Sequence, residues 1–144
     1  MQYRKVQSGY VIRIMRDEEV LGALRGFCAE KGIGAGALSG IGAVKNARFG
    51  HYDLSAKKFV LTDYPAMLEL LSMSGNIAAV DGKPWVHIHG VFSEQDNHVL
   101  GGHVDAMTAA ITVEIHLVEH GMTIEKKLDD FSGLKLLALE DQHA

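Results

Sequence analysis

Cysteine is all but missing from this sequence. Cys28 is the only one, which excludes an internal disulfide and any metal site built from several thiolates of one chain. Proline is nearly as scarce, with two residues, so the chain lacks the composition of a disordered or low-complexity segment. No run of about 18 apolar residues occurs. The opening MQYRKVQSGYVIRIMRDEEV has no continuous apolar stretch of signal-peptide character, and the expectation is a cytoplasmic, soluble protein without a membrane partner. Positive charge is also in deficit: 14 Lys and Arg against 18 Asp and Glu give a net charge of −4. That balance lacks the overall positive field on which non-specific nucleic-acid binding relies. The pairs Lys57-Lys58 and Lys126-Lys127 are too short to form a basic patch and read as a solvated strand edge or turn.

What the chain does have is 144 residues, 47% of them hydrophobic and 22% charged, enough for one domain that buries about two-thirds of its unfolded surface. Tyr10–Met15 reads as a strand. Asp17 is placed to cap a following helix, with Glu18 and Glu19 in its first turn. Val20, Leu21, Leu24, Phe27 and Cys28 then recur at helical spacing, and the helix should stop near Gly32. On that stripe Cys28 reads as a buried small hydrophobe rather than a nucleophile. The segment GIGAGALSGIGAV is rich in glycine, but it follows a helix and leads into a β segment. A dinucleotide fingerprint needs the opposite context, so Gly34-x-Gly36 reads as a turn and a closely packed strand.

From Leu38 onward the pattern predicts strands over 38–44, 47–53, 58–61, 67–80, 85–93, 98–106 and 110–118. Asp81-Gly82 is a hairpin turn and Gln95-Asp96-Asn97 a second turn. Ile111, Val113, Ile115 and Leu117 should share one face, leaving His116 solvated. The tail FSGLKLLALE fits a final strand or a short helix. With no linker and no internal repeat, the expected fold is one α+β domain, a mainly antiparallel β-sheet with a packed helix.

Four of the eight histidines lie between Gly82 and Ala106. Strand alternation puts His87 and His89 on one face, with Cα atoms roughly 6.6 Å apart, and Val86, Ile88 and Phe92 on the other. A three-residue turn at 95–97 sets Phe92 opposite Leu100, Gly90 opposite Gly102 and Ile88 opposite Val104. This register keeps the apolar face apolar. It also sets His89 opposite His103 and His87 opposite Asp105. A two-residue turn at Asp81-Gly82 sets Asn76 opposite His87, Ser74 opposite His89 and Leu71 opposite Phe92. One side of three strands would then carry Ser72, Ser74, Asn76, His87, His89, His103 and Asp105.

Three readings of that floor stay open. Three neutral imidazoles suit zinc and leave a coordination position for water. The same groups can line a subunit interface or ligand pocket, or form a wet sheet face. Histidine also serves acid–base chemistry, with Glu69 and Asp105 as the nearest carboxylates, although both read more simply as surface charge. Ser72 and Ser74 lack a nucleophile-elbow context, and Trp85 and Tyr64 read as packing or interface residues.

The combination of GIGAV, GHYD, LELLSMSGNIAAVDGKPWVHIHGVFSEQDNHVLGGHV and TVEI resembles the plant and prokaryote conserved domain, also called domain of unknown function 296 or the PD1-like DNA-binding domain. Ser74-Gly75-Asn76-Ile77, His87-x-His89 and Gly101-Gly102-His103 carry most of the likeness, which spans roughly Tyr10 to Leu117. The resemblance implies a compact α+β fold, assembly as a homotrimer, and a metal site of His87, His89 and His103 near a subunit boundary. Glu69 matches an acidic position of the family. Land-plant relatives add an arginine-glycine hook for DNA, which this chain does not contain. The resemblance therefore implies an oligomeric binding or regulatory protein of unresolved ligand, with a metal-dependent small-molecule enzyme as the alternative and direct DNA binding third.

Overall fold

The structure, a computed structural model, describes residues 1–139. Its order is β1 (Gln2–Val6), β2 (Gly9–Met15), α1 (Val20–Lys31), β3 (Gly36–Asp53), β4 (Lys58–Tyr64), β5 (Leu68–Val80), β6 (Lys83–Ser93), β7 (Val99–Glu119), β8 (Lys126–Leu128) and β9 (Lys135–Leu137). The fold is α+β, with one helix and a mainly antiparallel sheet. Seven strands run in the order β1-β2-β7-β6-β5-β3-β4, and a further β7–β3 pairing closes β7, β6, β5 and β3 into a ring. Strands β8 and β9 form a separate two-stranded sheet. Among the described residues no helix is long and apolar enough to cross a membrane.

Alternation decides which side of each strand turns inward. Leu70, Met73 and Ile77 of β5, Val86, Ile88 and Phe92 of β6, and Val113, Ile115 and Leu117 of β7 are all buried. Helix α1 packs on β6 and β7 through Leu21, Leu24, Phe27 and Cys28. Burial pushes the Cys28 thiol up to about 12, so it is an inert core residue.

The chain departs from the sequence pattern where local geometry is broken. The segments expected at 38–44 and 47–53 are one strand bent at Asn46, whose φ is 48°. Those at 98–106 and 110–118 are likewise one strand. In β7 the register shifts between Ala109 and Val113, and the extra residues turn Ile111 out to 60% exposure, away from the face it was expected to share. Strand β1 leaves no mark in the sequence pattern, because all five of its residues are exposed and carry no apolar alternation. The helix cap is Glu19, not Asp17: its carboxylate accepts from the Leu21 and Gly22 amides, and no acid stands in the first turn. Asp17 adopts φ 67° and pairs with Lys45, while Glu18 holds the Met1 ammonium and the Met15 amide. Gly32, with φ 68°, ends the helix as expected. The tail supplies strand β9, with Glu140 lying outside the described residues.

Two glycines make a contrasting test. A Cβ on Gly75 would meet the His87 carbonyl oxygen at 2.1 Å, whereas one on Gly26, in the helix, would meet nothing within 4 Å. Gly75→Ala is expected to cost about 1–3 kcal/mol through backbone displacement. Gly26→Ala should stabilise by about 0.5–1 kcal/mol. Urea unfolding of the two variants measures both signs.

Candidate metal centre

The hairpins set the site. Asn76 pairs with His87 and Ser74 with His89 across β5 and β6, and His89 pairs with His103 across β6 and β7. These partners agree with those expected from the two turns. Since Val86, Ile88 and Val104 are held in the core, the intervening histidines must face outward. Gly102 allows the strands to close here: a Cβ on it would sit 2.4 Å from the Gly50 carbonyl oxygen.

The three rings converge. His87 Nε2 lies 3.2 Å from His89 Nε2 and 3.1 Å from His103 Nδ1, and one nitrogen from each ring falls within 4.8 Å of the others. The edge of a zinc tetrahedron with nitrogen ligands at about 2.0–2.1 Å is about 3.3 Å. His87 Nε2 faces two nitrogens at once, and a single ring nitrogen cannot complement both when all three offer lone pairs. A shared cation satisfies them together, so the residues fit a metal ion. Phe59 of β4 stacks on His103 with centroids 4.3 Å apart.

Electrostatics keep His87 and His103 neutral. His87 is lowered from 6.5 to about 4, first by burial, then by the charge of Lys126 and of the other two imidazoles. His103 is lowered too, chiefly by burial and His89, with Asp105 acting in the opposite sense. Both therefore present lone pairs at pH 7.

The other expected site residues are placed less centrally. Asp105 does not lie opposite His87, because β6–β7 pairing ends at His89–His103. Beyond it β7 pairs with β3, and Asp105 faces Arg48 at 3.7 Å. Glu69 is exposed at the start of β5, opposite Ser93, and belongs to no metal-ligating cluster among the described residues. A bulge at Leu71 pairs Leu70, rather than Leu71, with Phe92. Ser72 and Ser74 are exposed and Asn76 is half-buried. The Asn76 Oδ1 is buried without a hydrogen-bond partner.

A cavity of about 470 Å³ opens beside the histidines, lined by Asn76, His87 and His103 together with Phe59, Trp85, Lys126 and residues 133–137. Phe59, Lys126 and the tail were not singled out for this site from the sequence. Nothing in the TIEKKLDD stretch signals it, because contacts made elsewhere carry Lys126 there. The Ala79 amide donates to the Ile124 carbonyl at 2.7 Å, which leads the chain along the end of β5.

The chain is similar to known proteins over most of its length. The family model for the Plants and Prokaryotes Conserved (PCC) domain matches residues 1–121. The chain belongs to that family. Among solved PCC-like structures, a plant- and prokaryote-conserved protein of Pyrococcus horikoshii is 32% identical over 91% of each chain, with a TM-score of 0.85. A metal-containing protein of Archaeoglobus fulgidus is 32% identical, covering 96% of this chain and 100% of that one, with a TM-score of 0.84. A putative DNA-binding protein of Ralstonia eutropha is 27% identical over 96% of each chain, with a TM-score of 0.88. No curated protein matches the chain.

The depressed His87 predicts a pH effect on the metal-free protein. The unfolded side chain protonates near 6.5 and the folded one near 4, so between these values the unfolded state binds more protons. Stability contributed by neutral His87 is present above about pH 6.5 and falls as pH drops towards 4. Urea midpoints at pH 7, 5.5 and 4.5 should decline more steeply for the wild type than for His87→Gln.

Proposed function

We propose that this PCC-domain chain is a homotrimeric binding or regulatory protein that holds zinc on His87, His89 and His103. The centre would lie at a subunit boundary with its fourth position open to the adjoining cavity. The observation that carries this reading is the near-tetrahedral spacing of the ring nitrogens, 3.1 and 3.2 Å from His87. Neutral imidazoles suit zinc, and three protein ligands leave one position for water or another donor. The metal-containing Archaeoglobus relative, alike over nearly the whole chain, supports the same assignment.

Val91 and Val99, on the strands that carry the histidines, and Leu71, on the adjoining β5, are 43%, 56% and 49% exposed. Apolar surface of this kind marks association sites and supports the homotrimer. The −4 charge weighs against DNA as the direct partner. A metal-dependent small-molecule enzyme is the second reading, favoured by the cavity beside the open position.

Elemental analysis after zinc incubation and desalting should give about one zinc per chain, as a three-ligand site requires. The His87→Ala/His89→Ala variant should retain almost none. A wild type that stays metal-free removes the assignment. Sedimentation at micromolar concentration should give three times the 15.7 kDa chain mass, and a monomer contradicts the trimer.

A further inference from the structure

The cavity beside the histidines has a chemistry of its own. Its walls are mostly hydrocarbon and aromatic: Trp85, Val80, Phe59 and the leucines at 134, 136 and 137. The guanidinium of Arg25, from α1, lies 5.3 Å from the Trp85 ring centroid and fixes that wall. Two lysines also line it, Lys135 and Lys126, the latter half-buried on β8. Among the described residues Lys126 has neither a carboxylate partner nor a side-chain hydrogen bond, unlike Lys135, whose ammonium meets Asp81 at 2.9 Å. A partly desolvated ammonium without a counter-charge is costly, and an anion brought by a ligand relieves that cost.

The tail that supplies Lys126 is tied down on two sides. Lys57 donates to the Asp130 carbonyl at 3.0 Å and Tyr52 to the Ser132 carbonyl at 2.7 Å. On the other side the Lys135–Asp81 pair anchors β9 to the β5–β6 turn. The wall is therefore built, and about 470 Å³ is of the size that small-molecule sites take.

We infer that this cavity binds a small monocarboxylate with an apolar body, its carboxylate on Lys126 beside the three-histidine floor and its hydrocarbon against Trp85 and the tail leucines. With Lys135 paired to Asp81, one ammonium without a carboxylate partner in a mostly apolar wall matches a monoanion. A phosphate group would require more donors than the single ammonium provides. The inference rests on the zinc reading for part of its affinity, because a cation on the floor adds charge of the same sign.

Trp85 is the only tryptophan of the chain, so its fluorescence reports on this cavity alone. Zinc-incubated protein is titrated with sodium hexanoate and, separately, with hexan-1-ol, and the zinc content of every sample is measured. Hexanoate should change the emission saturably and bind at least about tenfold more tightly than the alcohol. Lys126→Gln should lose about tenfold in hexanoate affinity, Lys126→Arg should recover most of it, and Lys127→Gln, at an exposed neighbour, should bind as the wild type. Equal binding of acid and alcohol, an unaffected Lys126→Gln, or no saturable change up to about 10 mM overturns the inference. Zinc-free protein that still binds hexanoate through Lys126 supports the cavity and counts against the metal. Zinc-loaded protein that ignores hexanoate counts against the cavity alone.

Discussion

The arrangement depends on register. Val86, Ile88 and Phe92 of β6 are almost fully buried, and a slip of one residue would exchange them for His87, His89 and Val91. Burying two imidazoles while exposing three large apolar groups is unfavourable on both counts. The hydrophobic core thus holds the histidines outward without touching them. Partners on either side do the rest, since β5 and β7 are pinned to β6 by the same apolar faces.

Convergence then follows from pairing rather than from sequence proximity. His89 and His103 are directly opposed, and His87 is one alternation along the same face. Strand β7 leaves β6 immediately after His103 to follow β3, which removes Asp105 from the cluster and opens the edge where the C-terminal hairpin enters. The departure explains two features together: a donor set made only of imidazoles, and an apolar cavity next to it. The low proton affinity of His87 and His103 has the same origin, since partial burial and neighbouring cationic charge both favour a free lone pair.

Much of this was legible in the sequence where alternation was strong and turns were short. The Asp81-Gly82 and Gln95–Asn97 turns fixed Asn76–His87, Ser74–His89 and His89–His103 because both strands carry clean apolar faces. Errors arose at irregularities. The bulge at Leu71 and the register shift before Val113 insert residues that no binary pattern announces, so Leu71 does not face Phe92 and Ile111 leaves the apolar face. Three acids in a row at 17–19 made the helix cap ambiguous, and backbone geometry selected Glu19. Strand β1 has no buried residue to produce a period. Phe59 and Lys126 reach the site through long-range contacts, of which local composition carries no trace.

The claim on which the account stands is that three imidazoles from β6 and β7 bind one ion. Zinc K-edge X-ray absorption of the one-to-one complex tests it most directly. The account predicts a shell of three imidazole nitrogens at about 2.0–2.1 Å completed by an oxygen donor. A shell of water oxygens with one imidazole or none, or one containing sulfur, would contradict it.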